Sequence, residues 1–200
     1  TIFTAFIAAS SLNARETKPP VDFVDVFIGT TNYGTTHPGA MGPNGMMSVS
    51  PFNAMGSHEN RFDKDSRWWS TPYEKRNVYF TGYSHVNLSG VGCPDLGSLL
   101  VMPTTGDLNV DFKEYGSHYT DEHATPGYYS NLLTKYNVNT EVTATMRGAV
   151  HRYTFPEGRG NILLNLGQGL SNESGSMIRR VSDNEVEGTK LLGGFCYNAQ

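Results

Sequence analysis

The sequence predicts an all-β domain, an antiparallel β-sandwich. Roughly ten short stretches read as strands at near-regular spacing, and none carries a convincing amphipathic helical period. Glycine fills 22 of 200 positions, against an average of about 7 %. Only 17 % of residues are charged, while Tyr and Phe are plentiful, as suits a turn-rich β domain with aromatic surfaces. Two hundred residues suffice for one domain with a real core, or for part of a larger one. The net charge is −4, from 15 basic and 19 acidic residues. With no basic stripe, the chain is a poor partner for nucleic acid.

Taken in order, Thr1 to Ala14 is apolar and small before Arg15-Glu16. It reads as the h-region and cleavage zone of a secretory signal peptide, too short to span a bilayer. Residues 1–20 are therefore set aside as a leader remnant and linker, and residues 21–200 as the folded domain. A periplasmic, secreted or cell-surface location is expected. After Pro19-Pro20, the alternation of Val21 to Ile28 predicts a strand. A long polar loop follows from Gly29 to Ala40. Asn44-Gly45 then marks a tight turn that tolerates positive φ. Met46 to Pro51 is strand-like. Residues 53–76 form an irregular insertion bearing Trp68-Trp69. Adjacent tryptophans face opposite sides of an extended chain, so one of the two suits a stacking platform. Asn77 to Tyr83 is strand-like, and so is Leu99 to Met102. Gly106 to Asp111 reads as turn and strand, and Glu114 to Ala124 is polar. Thr125-Pro126-Gly127 turns into a strand at Tyr128. Tyr136–Thr145, Ala149–Phe155 and Asn161–Leu166 are further strands. Ser182 to Thr189 looks like a polar turn, and Gly193 to Tyr197 opens another strand, within which the sequence ends. The chain thus reads as a piece of a longer protein.

The stretch Tyr83 to Leu96 organises the rest. It sets Ser84, His85, Asn87 and Ser89 beside Gly90, Gly92, Cys93 and Pro94. A polar, Gly-rich bend on a strand-rich frame is how binding sites are commonly presented. Cys93 and Cys196 are too few for a disulfide scaffold; a bridge between them is possible, but spacing does not decide it. The six histidines (37, 58, 85, 118, 123 and 151) lack metal-ligand spacing, and only His85 stands out by context. Gly29 to Gly34 lacks the Gly-Lys-Ser/Thr of a phosphate loop. Asp63 and Asp65 lack the rest of a calcium loop. Asp95, Glu114, Asp121 and Glu122 are carboxylates available for acid–base work, but spacing does not pair them. Asn87-Leu88-Ser89 and Asn172-Glu173-Ser174 match the glycosylation sequon. These residues suggest a carbohydrate-binding or accessory domain of a hydrolase. The alternative is a non-catalytic cell-surface module.

Several segments resemble the opening of glycoside hydrolase family 92. They are Val24–Thr30, His37-Pro38-Gly39-Ala40, Pro43–Pro51, Gly82–Gly97, Met102-Pro103-Thr104, Pro126–Tyr129 and His151–Phe155. They occur in family order over about residues 22–166, and their combination is specific where any one alone is weak.

The resemblance implies an exo-acting, calcium-dependent, inverting α-mannosidase, often specific for α-1,2 linkages of N-glycan mannose. It also implies an N-terminal β-sandwich packed on a C-terminal (α/α)6 barrel. That barrel would supply the general acid, the general base and most Ca2+ ligands. Inversion requires the two carboxylates to stand roughly 6.5–9.5 Å apart, with a water between one of them and the sugar. No catalytic residue is expected here, and the fragment alone should be inactive. By the same resemblance Asn44, Gly45, Trp68, Trp69, His85 and Cys93 would line the substrate pocket for a mannose-containing glycan. Two departures bear on linkage specificity. Pro43-Asn44-Gly45-Met46 stands where many members have Pro-Phe-Gly-Met, and Val86-Asn87 where many have Thr-His.

Overall fold

The structure is a computed structural model that describes residues 17–31, 34–54, 70–90, 92–170, 172–193 and 196. Its strands are β1 (Ala40–Met41), β2 (Ser48–Pro51), β3 (Tyr79–Phe80), β4 (Tyr83–His85), β5 (Leu100–Thr105), β6 (Ser117–Thr125), β7 (Tyr128–Leu133), β8 (Val138–Ala144), β9 (Ala149–Thr154), β10 (Gly160–Asn165), β11 (Asn172–Ser182) and β12 (Glu185–Gly193). One sheet has the order β1-β2-β4-β5-β10 and the second β3-β6-β7-β8-β9, while β11 and β12 form a separate hairpin. All pairings are antiparallel. β1, β2 and β5 lie against β8, so the two sheets face each other as the expected β-sandwich.

The core follows from period-2 alternation. Tyr129, Asn131 and Leu133 of β7 point inward, as do Val138, Thr140 and Val142 of β8. They meet Ala40, Val49, Tyr83 and Met102 from the first sheet. Phe80 and Tyr83 pack edge to face at 4.9 Å between ring centroids, the geometry the ring quadrupoles favour. β3 and β4 belong to different sheets although only two residues separate them. Gly82, at φ 145, makes that crossing. A side chain there would meet Leu100 and the Val101 carbonyl at 3.3 Å, so glycine is required. Pro103 sits inside β5 opposite Ile162. β4 pairs β5 only at Leu100 and Val101, so the missing N–H leaves no ladder partner unsatisfied.

Three expectations fail, and one stretch read only as polar is a strand. Val21 to Ile28 is not a strand. Pro20 opens a 3₁₀ turn over Pro20–Phe23, and Asp25 accepts from the Phe27 N–H at 2.9 Å. Proline at the first turn and an Asx turn outweigh the alternation. Gly106 to Asp111 holds no strand. The polar stretch 114–124 holds most of the nine-residue β6. Its outward positions are polar, and a bulge between Thr120 and His123 breaks the alternation. Ser182 to Thr189 is mostly β12, joined to β11 by a turn of two residues.

The β6 bulge has a purpose in the core. Asp121 at φ 51 turns Glu122 inward. The carboxylate of Glu122 accepts from the hydroxyls of Tyr73 and Tyr129, both at 2.8 Å, and pairs with Lys75. Tyr119 and Asn77 extend this polar cluster to Asn53, which donates to the Tyr119 oxygen at 2.9 Å. Burial and the Glu122 charge together raise the Tyr73 and Tyr129 hydroxyls well above their ordinary pKa. Replacing Glu122 with alanine leaves two buried hydroxyls and a lysine without their acceptor. We expect a loss of about 2–3 kcal/mol in urea unfolding, against about half that for Glu122→Gln, which keeps an acceptor oxygen.

Candidate functional site: a loop rim at one end of the sandwich

Strand directions bring several loops to one end. β2 begins there at Ser48 and β4 ends there at His85, paired with Val49. The Val86 N–H donates to the Ser48 carbonyl at 3.0 Å, which starts the Gly-rich bend. The turn 42–46, the bend 86–97 and the β8–β9 connection therefore share a rim. The turn is closed by the Gly45 N–H donating to the Gly42 carbonyl at 3.0 Å. Pro43 and Asn44 occupy its centre, and Asn44 has φ 54. This is the pattern of a type II turn. The Met46 and Met47 N–H groups donate to the Met146 carbonyl at 2.9 and 3.1 Å, pinning the turn to the β8–β9 connection. Asn44 is exposed and Gly45 half-buried, so this backbone is open to an approaching ligand.

The bend is built by Asn87. Its backbone N–H donates to Ser48 Oγ at 2.7 Å, and its carboxamide nitrogen donates to the Ser84 and Ser48 carbonyls. Its carboxamide oxygen accepts from Ser84 Oγ at 2.8 Å. Asn87 also bridges to Leu96. Val86 (φ 57), Gly90 (φ 80) and Leu96 (φ 66) take left-handed backbone, conformations that a fixed loop must hold against steric cost. The Gly90 N–H donates to the Thr35 carbonyl at 2.6 Å, tying the bend to the polar loop. The buried, bonded carboxamide of Asn87 leaves the Asn87-Leu88-Ser89 sequon closed in the folded chain.

Cys93 and Cys196 form a disulfide, with Cα atoms 5.7 Å apart across 103 residues of sequence. Cys93 therefore presents no thiol, and its part in the bend is to anchor it. Asp95, 4 % exposed, accepts from the Cys196 N–H at 3.1 Å. Among the described residues, Cys93, Asp95 and Cys196 are the only metal-ligand types to gather in a group of three or more. Two of these are joined sulfurs, not hard oxygens, so the set does not suit calcium.

His85 does not face the rim's exterior. It is 9 % exposed and points between the sheets. Its Nδ1 lies 2.7 Å from the Leu99 carbonyl and its Nε2 lies 2.9 Å from Nε2 of His151. Nδ1 of His151 is 2.7 Å from the Tyr153 hydroxyl. A carbonyl only accepts, so His85 carries its proton on Nδ1. His151 then donates from Nε2, and Tyr153 donates to His151. Burial lowers the His85 pKa against that carbonyl contact. Burial and then the neighbouring His85 lower that of His151 to about 4. Both imidazoles are neutral at pH 7, and the His85 ring nitrogens are both engaged. The expectation that His85 contacts a ligand gains no support from this arrangement. His151 and Tyr153 were missed as its partners; inward positions on β4 and β9 are the only signal that joins them.

Trp68 and Trp69 lie outside the described residues, as do Asp63 and Asp65, the leader-like segment 1–14, and most of the final segment. The flanks of the tryptophan segment, Ala54 and Ser70, stand at the Pro51 end of β2, where the Ala54 N–H donates to the Pro72 carbonyl at 3.0 Å. Among the described residues no helix is long and apolar enough to cross a membrane.

Two antiparallel sheets packed as a sandwich, with a pinned loop rim at one end, define an all-β domain. The chain belongs to glycosyl hydrolase family 92: the model of that family's N-terminal domain matches residues 23–200. A family GH92 alpha-mannosidase from Bacteroides thetaiotaomicron is 31 % identical with a TM-score of 0.78, over 88 % of this chain and 24 % of that one. The same mannosidase in complex with mannoimidazole aligns with a TM-score of 0.75 at 30 % identity, over 86 % of this chain and 23 % of that one. An uncharacterized secreted glycosidase from Arthroderma benhamiae is 27 % identical over 164 residues, which is 78 % of this chain and 20 % of the relative. The chain thus spans about a fifth to a quarter of the length of these relatives.

Proposed function

We propose that this domain is the N-terminal part of an inverting, calcium-dependent exo-α-mannosidase. Its substrate would be α-1,2-linked mannose of N-glycans or mannan, and the loop rim would form one wall of the pocket. The match to the family over residues 23–200 carries this reading, and the pinned rim supports it. The exposed Asn44-Gly45 backbone would approach the sugar, with Trp68 or Trp69 as a stacking surface. Acid, base and calcium ligands would come from the remainder of the enzyme. A periplasmic or secreted location accords with the description of the Arthroderma relative.

The test is an assay of the full-length protein on α-1,2-mannobiose with and without EDTA, beside the 200-residue domain. The expected result is mannose release by the full-length protein, abolished by EDTA and restored by Ca2+, with none from the domain. Inactivity of the full-length protein on every mannoside tried sinks the enzyme reading. Measurable sugar affinity of the domain alone would then favour a binding module.

A further inference from the structure

The outer face of the second sheet carries a feature that neither the core nor the rim uses. At the centre of this face Ser130 of β7 is small, and its register partner on β8 is Glu141. Larger side chains around Ser130 leave an open trough of about 360 Å³, lined chiefly by Asp121, Tyr128, Ser130, Asn139, Glu141 and Thr154. That lies within the range of roughly 300–1,000 Å³ typical of small-molecule sites.

The lining is chemically selective. Apart from the Tyr128 ring it offers no apolar side chain, so an apolar ligand finds little to bury against. The charge of Glu141 is matched by Arg152, which donates to both its carboxylate oxygens. Tyr128 donates to Glu141 at 2.8 Å, which fixes the orientation of its ring. What lines the trough is therefore an aromatic ring held in place by its hydroxyl, a carboxamide, hydroxyls and the carboxylate of Asp121. A neutral, polyhydroxylated ligand answers all of these at once: its hydroxyls donate to Asp121, accept from Asn139, and its C–H faces cover Tyr128. An anion is opposed by Asp121.

The Tyr128 end of the trough lies next to the rim. Gly127, one residue before Tyr128, lies beside the Met41 carbonyl at the start of the Asn44 turn. Thr143 Oγ1 donates to the Gly127 carbonyl at 2.8 Å, locking that corner. At a rise of about 3.3 Å per residue, Ser130 stands roughly 10 Å from it, a reach of a few sugar units.

We propose that this trough is a subsite for a neutral oligosaccharide. It would hold the part of a mannose-containing glycan that extends away from the rim. The identity of the sugar rests on the α-mannosidase reading above.

The experiment compares full-length wild-type protein with Ser130→Trp, which fills the trough, and with Asn139→Ala. The ratio of kcat/KM on mannopentaose to that on mannobiose should fall about tenfold in Ser130→Trp, and less in Asn139→Ala. An unchanged ratio in Ser130→Trp overturns the subsite, whether both activities persist or both fall together. If the wild type cleaves neither substrate, the activity reading fails by itself. The trough is then judged by calorimetric titration of mannopentaose into the full-length protein. Binding abolished by Ser130→Trp upholds it, and no binding, or binding unaffected by the tryptophan, overturns it.

Discussion

Removing the Cys93–Cys196 bridge should lower the unfolding free energy by about 4–5 kcal/mol. The bridge closes a loop spanning 103 residues of sequence. In the chain-entropy account, the cost of closing a loop of that size in the unfolded ensemble is of this order. The loop contains β5 and β10 of the first sheet, all of the second sheet but β3, and the β11–β12 hairpin, so the unfolded chain gains freedom over much of the fold when the bridge opens. Chemical denaturation of the domain, oxidised and reduced, measures the effect directly, with Cys93→Ala as the genetic equivalent. Two further consequences separate this account from a local one. The denaturant slope should rise on reduction, because a less constrained unfolded state exposes more surface. Cys196→Ala should match Cys93→Ala within a few tenths of a kcal/mol, because either substitution frees the same loop. A loss below about 1 kcal/mol would mean that the other ties of the bend hold the fold by themselves. Those ties are Asn87 to Ser48 and Ser84, and Gly90 to Thr35.

The bridge also shows why site residues were only partly legible. The sequence marks Tyr83 to Leu96 as a special bend, and the structure bears that out: polar side chains build it and glycines turn it. The sequence does not show which polar groups look outward. His85 has the loop context of a ligand-facing residue. Yet it occupies the last position of β4, and its partners, Leu99 and His151, are 14 and 66 residues away. Asn87 reads as a sequon, yet its carboxamide is consumed by the bend itself. Both outcomes depend on contacts between strands remote in sequence, which local spacing cannot report. Asn44-Gly45 was legible because turn chemistry is local: Pro43, then Asn44 with positive φ, specify their own geometry.

The fold was legible where alternation was clean. β8, with Val138, Thr140 and Val142 inward, and β7 after its Pro126-Gly127 turn were both readable. The sequence failed where polarity and strand pairing part company. β6 carries Thr120, Asp121, Glu122 and His123 in succession and reads only as polar. Pairing to β3 and β7 and the inward turn of Glu122 make it a central strand. β12 runs Glu185-Val186-Glu187-Gly188-Thr189, and its backbone is satisfied by β11 alone. Val21 to Ile28 fails the other way: an alternating apolar run finds no strand to pair with, and Val21, Phe23, Val24 and Ile28 remain exposed.

Acidification should destabilise the domain steeply between pH 6.5 and 4, and His37 should be one of the two largest causes, beside His151. His37 is 6 % exposed. Its Nδ1 accepts from the Gly39 N–H at 3.2 Å, and its Nε2 has no hydrogen-bond partner among the described residues. Burial alone brings its pKa from 6.5 down to about 4. The sign follows from where the proton goes. Below pH 6.5 the unfolded chain binds a proton at His37 that the folded chain refuses until about pH 4. The unfolded state is therefore stabilised relative to the folded one as pH falls through that window, and folding stability rises with pH across it. At about 1.36 kcal/mol for each pKa unit, the shift from 6.5 to about 4 is worth about 3 kcal/mol. His85 and His151, neutral and bonded to each other between the sheets, act in the same direction. Protonating His85 at Nε2 sets two N–H groups against each other, and protonating His151 at Nδ1 removes the acceptor of the Tyr153 hydroxyl. The measurement is the urea midpoint at intervals from pH 7 to pH 4, for the wild type and for His37→Gln. The wild-type curve should drop through this window, and the variant's drop should be smaller by about 3 kcal/mol. Identical pH slopes would show that His37 is protonated in the folded chain at a pH close to that of a free imidazole. The acid sensitivity would then belong to the His85–His151 pair alone, and a His151→Phe variant, which removes the second imidazole, should flatten it.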